Sequence, residues 1–530
     1  MGIAQMKRCK LSDAVKEQTD ISAPIYKRRD FLKLLGIGAS LAFPGCMSIP
    51  RRLSGKAPLG GPNIISIMAD DLGYGDVGFN GNKTIKTPYL DAMAREGIRF
   101  RRFYAGGPVC SPTRGTCLTG RHYFRYGIFS ASVGYLPGEE ITIARMCKSL
   151  GYATGHFGKW HLGPLSKTGP TMPEYRENRL RKYAPPQQRD YDETFTTECN
   201  VPTWNPADNL EKYKWVFRLP FWHNGKVETE NLKGPAARVV MDRVIPFIRK
   251  AAKNDQSFFA TIWFHEPHEP VVAGPEHRAM YEQYSEGEQH YYGCITAMDE
   301  QIGRLRAELQ ALGIAENTMV WFCSDNGPEG MTSKGEPGWC RNSRGVTGGL
   351  RGRKRSLFDG GLRVPALLEW PGHAQPGRAV DMPCTTLDYL PTIQEALRYK
   401  MPDDRPIDGM SLLPVINGNM TKRPEPIPFW FTKPSKRKMH NSPTLALVDN
   451  NLKFLTNLSK DGNEDMLFDL SNDPGERHNI IAKHPEKAAG MRAHLKKWTE
   501  SCKLSHSGAD YDTPFTPVDS FPIIAGTWSS

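Results

Sequence analysis

Six short stretches of this 530-residue chain carry side chains that could do chemistry, and four of them lie where apolar runs stop. Asp70-Asp71 follows Asn63-Ile64-Ile65-Ser66-Ile67-Met68-Ala69, and Asp325-Asn326 follows a run from Met319 to Cys323. Lys159 and His161 flank Trp160 at the end of a run from Tyr152, while His265 and His268 follow Phe258 to Phe264. The other two are Cys110-Ser111-Pro112-Thr113-Arg114 and the basic, glycine-rich stretch Gly348 to Pro365 that holds Lys354. Asp70, Asp71, Asp325 and Asn326 offer only oxygen ligands, a set that selects a hard cation, Ca²⁺ or Mg²⁺. Adjacent residues of a regular strand point to opposite faces. Asp70 and Asp71 can therefore share one ion only where the strand ends and the backbone turns. Lys159 and His161, two apart in extended chain, would share a face. His265-x-x-His268 also suits Zn²⁺, but Pro267 prevents a helical pair and no cysteine ligand accompanies them.

The elements that must position these residues are legible from periodicity. Short apolar runs rich in β-formers suit strands buried on both faces, as in a parallel sheet. Helical patterns lie between them, over Ala236 to Ala252 and Tyr291 to Leu312. Another is predicted from Thr87 as cap and Pro88 in the first turn to a stop at Gly97. Alternating strand and helix of this kind implies an α/β fold, a large, mostly parallel sheet covered by helices on both faces. Ligands of such sheets gather at the carboxyl ends of the strands, where the pairs 70/71, 159/161, 265/268 and 325/326 fall. Residues 60–400 form the expected catalytic domain, with a Pro/Trp/Tyr-rich insert over 165–232 that would line the pocket. After 401 come short runs, Phe429-Trp430-Phe431, Leu445 to Val448, Leu452 to Leu455 and Met466 to Leu470, then a closing helix from Pro485 to Cys502. These predict a smaller α+β subdomain with an antiparallel sheet over 401–510, and a tail over 511–530.

Formal net charge is +12, of which the first fifty residues, with eight Lys/Arg and four Asp/Glu, hold +4. The balance suits an anionic substrate. No helix-turn-helix, zinc-finger spacing or RNP-like aromatic run accompanies it, which argues against nucleic acid. Eleven cysteines are an odd number in no small-scaffold pattern, so they do not form a disulfide framework. Lys27-Arg28-Arg29 precedes the apolar run Leu34 to Phe43, which is shorter than the ~20 residues of a spanning helix. Residues 1–50 thus resemble a Tat export signal. Pro44-Gly45-Cys46 loosely matches a lipobox, which would make Cys46 a lipid anchor and the protein periplasmic.

Cys110-x-Pro-x-Arg114 followed by Thr119-Gly120-Arg121 resembles the signature of the type I, formylglycine-dependent sulfatases. The likeness runs in matching order over about residues 60 to 500, nearest the arylsulfatase and N-acetylgalactosamine-6-sulfatase branch of the alkaline phosphatase superfamily. It implies oxidation of Cys110 to formylglycine (3-oxoalanine) by a formylglycine-generating or sulfatase-maturing enzyme. Of the hydrated aldehyde's two hydroxyls, one attacks sulfur and the other later expels sulfate; a thiol adduct would lack the second. The resemblance also implies Ca²⁺ on Asp70, Asp71, Asp325 and Asn326, with modified Cys110 completing the shell and Arg114 steadying the nucleophile. Gly158-Lys159-Trp160-His161-Leu162-Gly163 assigns Lys159 to sulfate and His161 to the formylglycine hydroxyl. Pro-His-x-Pro assigns His268 to sulfate and the leaving alcohol, with His265 a neighbour. Leu-Arg-Gly-x-Lys makes Lys354 the sulfate-binding lysine, with Arg351 and Arg363 in ion pairs. Arg353 and Arg355 would be a solvated basic loop or contacts to a polyanion. Leu467 to Glu476 resembles the family's C-terminal subdomain. The implied activity is hydrolysis of sulfate esters, with sulfated carbohydrate the substrate class. The rivals are a phosphonate or phosphate monoester hydrolase on the same scaffold, and a non-catalytic sulfoglycan-binding lipoprotein if Cys110 stays unmodified.

Overall fold

The run after Pro62 forms the strand Asn63–Ala69, buried at every residue and flanked by parallel strands on both sides. Its odd and even residues enter different cores: Ile64 and Met68 join one, Ile65, Ile67 and Ala69 the other. A strand covered on both faces has no polar side to show, which is why the sequence reads as an unbroken apolar run. The computed structural model describes residues 61–208, 219–330, 344–432, 442–458, 462–512, 517–519 and 521. The chain divides into two units, residues 1–56 and 57–530, and the described residues all belong to the second. The twin-arginine segment and Cys46 lie outside the described residues. Among those described, no helix is long and apolar enough to cross a membrane.

Among the described residues the main sheet has ten strands. Thr318–Ser324, Asn63–Ala69, Phe258–Trp263, Ala153–Lys159 and Glu193–Thr197 run parallel side by side. Ala366–Glu369 continues one flank antiparallel, followed by Ile98–Phe100 and the edge strand Arg378–Val380, and the hairpin Phe221–His223/Lys226–Glu228 closes the other. The expected large, mostly parallel sheet sandwiched by helices is therefore present. The 165–232 segment is more than a pocket-lining insert, because Glu193–Thr197 and that hairpin give the sheet three of its strands. Glu-Thr-Phe-Thr-Thr carries too few apolar residues to stand out by hydrophobicity, although its β-branched threonines suit a strand.

Two helix starts differ from the sequence reading. Thr87 makes no side-chain cap; its hydroxyl accepts from Gly78 N, and the helix Pro88–Glu96 is capped instead by Asp299, which accepts from Tyr89 N and Leu90 N. The helix predicted from Tyr291 begins earlier, at Glu286, where Ser285 and Glu288 form a reciprocal capping box.

The antiparallel sheet expected after residue 400 comprises Ile427–Trp430, Leu445–Asp449, Leu452–Thr456 and Met466–Asp469. Phe429, Ala446, Val448, Leu455 and Phe468 on one face pack with Tyr104, Val109, Leu357 and Leu362. The other face meets the helix Pro485–Leu504 through Leu495 and Trp498. At the end of this subdomain Asp510 pairs with Arg121. The tail that follows is partly built in: Asp519 pairs with Lys182 at 3.0 Å, and Phe521 packs against Phe124, Phe129 and Trp430.

His122 lies buried between Tyr123 and Trp498, and burial pushes its pKa down to about 3. The unfolded chain binds a proton below the ordinary histidine range that the folded chain refuses. Stability from this group is complete above about pH 6.5 and is lost, at ~1.4 kcal/mol per pH unit, as the pH falls toward the folded value. Melting temperature should fall less steeply between pH 6.5 and 4.5 in His122→Gln than in the wild type.

Candidate active site

The helix Cys110–Thr119 starts at Cys110 with Val109 in extended conformation, so residue 110 stands at a helix N-terminus, where developing negative charge is favoured. The approach is fixed by Thr113, whose hydroxyl donates to Gly107 O and accepts from Gly107 N. Arg114, one turn on, faces the same way. Its guanidinium lies 2.7 Å from Asp325 Oδ2 and 3.6 Å from Asp70 Oδ2, over the Trp263 ring.

Asp71 has φ +67°, so the chain leaves extended geometry at that residue, as one ion shared by Asp70 and Asp71 requires. Asp71 N donates to Asp325 Oδ1, Asn326 Nδ2 donates to Asp71 Oδ1 at 2.6 Å, and Cys110 Sγ lies 3.5 Å from Asp70 Oδ1. The potential ligand atoms of Asp70, Asp71, Cys110 and His268 all fall within 4.8 Å of one another. Because Asn326 Nδ2 meets two acceptors, Asp71 Oδ1 and Gly327 O, its orientation is set by the network. Its Oδ1 is then buried with no hydrogen-bond partner. A buried orphan oxygen beside three carboxylates fits a hard cation, since nothing else there satisfies it.

Cationic side chains enclose the acids. Lys159 Nζ is 2.6 Å from Asp70 Oδ2, and Lys354 Nζ is 2.6 Å from Asp71 Oδ1. Burial opposes ionisation of Asp70, but Lys159, His268, Arg114 and Lys354 outweigh it and hold its pKa well below the usual range. Asp325 goes the other way, pushed up to about 7 by burial and by the charge of Asp70. Three acids already face Arg114, Lys159 and Lys354, so a divalent cation would leave the cluster net positive, matched to an anionic ester. Burial also pushes the Cys110 thiol well above its ordinary value, against the pull of Lys159 and Lys354. As a thiol, Cys110 stays protonated and is a poor nucleophile.

The histidines divide. His268 Nε2 is 3.6 Å from Asp71 Oδ2, and its Nδ1 is 2.8 Å from Glu269 O, a carbonyl that can only accept, so Nδ1 carries the hydrogen. His265 is fully buried, 3.5 Å from Thr197 Oγ1 and edge-on to Phe221, with its pKa lowered by burial to about 3. Its Nδ1 is buried without a hydrogen-bond partner, within reach of the charges of Asp70, Lys159 and Arg114. Gly158 has φ +100° and His161 φ +57°, so the chain leaves regular extended geometry on either side of Lys159 and Trp160. The His161 imidazole bonds Ser132 Oγ at 2.7 Å, and burial, with Lys159 and Arg114, holds it neutral. Ser132, itself at φ +59°, donates its backbone N–H to Ser111 Oγ. Nothing in the sequence marks it.

Tyr175 OH reaches His161 O, and Glu198 holds Leu165 N, Thr171 Oγ1 and Met172 N, which brings the start of the 165–232 segment against the site. Arg363 pairs with Asp359 at 3.7 Å, whereas Arg351 binds the Glu476 carbonyl and stacks on Phe358. Arg353 and Arg355 are not a solvated loop: Arg355 pairs with Glu329 at 2.6 Å and Arg353 donates to Glu329 O.

A nucleophile-bearing helix, an acidic oxygen cluster and a ring of buried cations at the carboxyl ends of parallel strands define a hydrolase of charged esters. The sulfatase family model matches residues 62–399, and the model described as N-sulphoglucosamine sulphohydrolase, C-terminal, matches 352–503. The chain belongs to the sulfatase family. It is 32% identical to human arylsulfatase A, over 82% of this chain and 87% of that protein. It is 31% identical to pig N-acetylgalactosamine-6-sulfatase, over 68% and 67%. Among solved structures, Ps i-CgsB in complex with k-i-k-neocarrahexaose matches with a TM-score of 0.69 and 28% identity, covering 83% of this chain and 93% of that one. The chain is a sulfuric ester hydrolase.

Proposed function

We propose that this sulfatase acts on sulfated carbohydrate, with Cys110 matured to formylglycine and Ca²⁺ as its resident ion. The observation that carries the reading is the place of Cys110: buried at a helix N-terminus with Sγ 3.5 Å from Asp70 Oδ1, it stands as a nucleophile beside the oxygen cluster that would hold the ion. Oxidised and hydrated, the side chain supplies one hydroxyl to attack sulfur and a second whose deprotonation re-forms the aldehyde. Ca²⁺, held by Asp70, Asp71, Asp325, Asn326 and an oxygen of modified Cys110, would favour the ionised hydroxyl and offset the ester's charge.

The chain's own residues do the remainder. Lys159 and Lys354 meet the sulfate oxygens and stabilise charge moving toward the leaving oxygen. His268, with Nδ1 tied to Glu269 O, presents Nε2 to the site and carries the proton for the leaving alcohol. His161, held neutral, accepts the proton whose loss releases sulfate. Substrate class is supported by the carbohydrate named with Ps i-CgsB and by the N-acetylgalactosamine-6-sulfatases. Export by the Tat route, with a lipid anchor at Cys46 and maturation of Cys110 by a formylglycine-generating enzyme beforehand, is supported by Lys27-Arg28-Arg29 and the apolar run after it.

Mass spectrometry of the tryptic peptide Phe103 to Arg114 should find the aldehyde, and the purified protein should hydrolyse nitrophenyl sulfate far faster than nitrophenyl phosphate. An intact thiol in active protein would sink the maturation, and a preference for phosphate would favour the phosphomonoester reading.

A further inference from the structure

The C-terminal motif around Glu476 and the buried Lys453 take no part in the chemistry above, yet both reach the loop that carries Lys354. That loop, residues 351–361, is folded on itself by Gly360 N to Arg351 O at 2.7 Å, Ser356 N to Arg353 O and Gly361 N to Phe358 O. A Cβ at Gly360 would lie 2.2 Å from Gly352 O, and one at Gly361 2.2 Å from Ser356 O, so the knot closes only with glycine at both. It then touches three parts of the site. Lys354 Nζ is on Asp71, Gly327 N beside Asn326 donates to Gly361 O, and Arg355 N donates to Pro108 O two residues before Cys110.

The knot is gripped from outside by a buried ionic group of the antiparallel sheet. Lys453 Nζ lies 2.7 Å from Asp359 Oδ1 and 3.0 Å from Glu476 Oε1. Glu476 Oε2 accepts from Asp359 N, and Glu476 O accepts from Arg351, so one residue holds both ends of the loop. Lys453, Asp359 and Glu476 have side chains fully shielded from solvent, and Glu476 has φ +53°, a backbone state rarely kept by a side-chain-bearing residue without a compensating contact. Tyr104 OH and Arg363 complete the shell around Asp359.

We propose that Lys453 and Glu476 are positioning residues of the reaction: through Asp359 and Arg351 they set the place of Lys354 and, through Gly361, of Asn326. The C-terminal sheet is in this sense part of the active site. The inference rests on the sulfate-binding role proposed for Lys354.

The test is a double-mutant cycle on the full-length, formylglycine-bearing protein, read by nitrophenyl sulfate turnover and by calorimetric binding of inorganic sulfate. Lys453→Met should lower kcat and sulfate affinity at least tenfold while Lys453→Arg restores much of both. In a Lys354→Ala background the same Lys453→Met change should cost less than twofold, because the residue it acts through is gone. A full, additive loss in that background would overturn the inference, as would a folded Lys453→Met enzyme with wild-type turnover. If Lys453→Met does not fold, Glu476→Gln carries the test. It keeps an acceptor for Asp359 N but loses the contact to Lys453, and a loss of fivefold or more that vanishes with Lys354→Ala is expected. A matured wild type without sulfatase turnover would sink the functional reading itself, and this inference with it.

Discussion

Lys354→Ala is expected to lower turnover of nitrophenyl sulfate by about two to three orders of magnitude with little change in fold. The lysine ends 2.6 Å from Asp71 Oδ1, is almost wholly buried, and pulls against the burial that raises the Cys110 thiol. A preorganised cation of this kind is in place before the reaction and meets charge that grows as sulfur is transferred. Removing one such contact costs ~2.7–4 kcal/mol of barrier. Because the charge develops late, the loss should fall on kcat more than on KM. Lys354→Arg should recover only part of it, since a planar fork does not replace a point charge at that distance. Turnover within threefold of the wild type, in protein whose Cys110 is equally converted, would remove Lys354 from the chemistry.

Asp71→Ala should have a still larger effect, leaving no measurable turnover. The side chain receives Asn326 Nδ2 and Lys354 Nζ on one oxygen and faces His268 with the other. Its deletion therefore frees two cationic or polar neighbours and removes a cation ligand at once. A thermal-shift series separates these effects from simple unfolding. Ca²⁺ at a hundredfold excess over its dissociation constant stabilises a site that exists only in the folded chain by about 2.7 kcal/mol. Melting temperature should rise with added Ca²⁺, and fall with chelator, in the wild type but not in Asp71→Ala. A variant that still responds to Ca²⁺ would move the ion site elsewhere.

How much of this was readable beforehand depends on whether the signal was local. Asn63 to Ala69 announces a two-face-buried strand because each of its side chains must be apolar or small, and the Asp70-Asp71 argument needed only strand parity to demand a turn, which Asp71 makes. At Lys159 and His161 parity alone is not enough, because positive φ at Gly158 and His161 takes the backbone out of regular extension in a stretch whose residue types give no warning. Asp299 as cap for the helix Pro88–Glu96 and Ser132 as partner of His161 are contacts between distant segments. Sequence spacing carries no trace of them. Glu193–Thr197 was missed for a different reason, since threonines fill a strand without making it hydrophobic. Lys453 was hidden inside an apolar run, where a lone lysine passes for a solvent-facing residue.

Cys110 has 1% of its surface accessible, at the head of a helix in which no residue is exposed. Arg121, two residues past that helix, is clasped by Asp510, nearly four hundred positions downstream. An enzyme that must handle residue 110 in an extended peptide cannot reach it in the finished molecule. Any maturation in the cell thus has a deadline, set by when the stretch around Asp510 leaves the ribosome and closes on the segment that has to be modified.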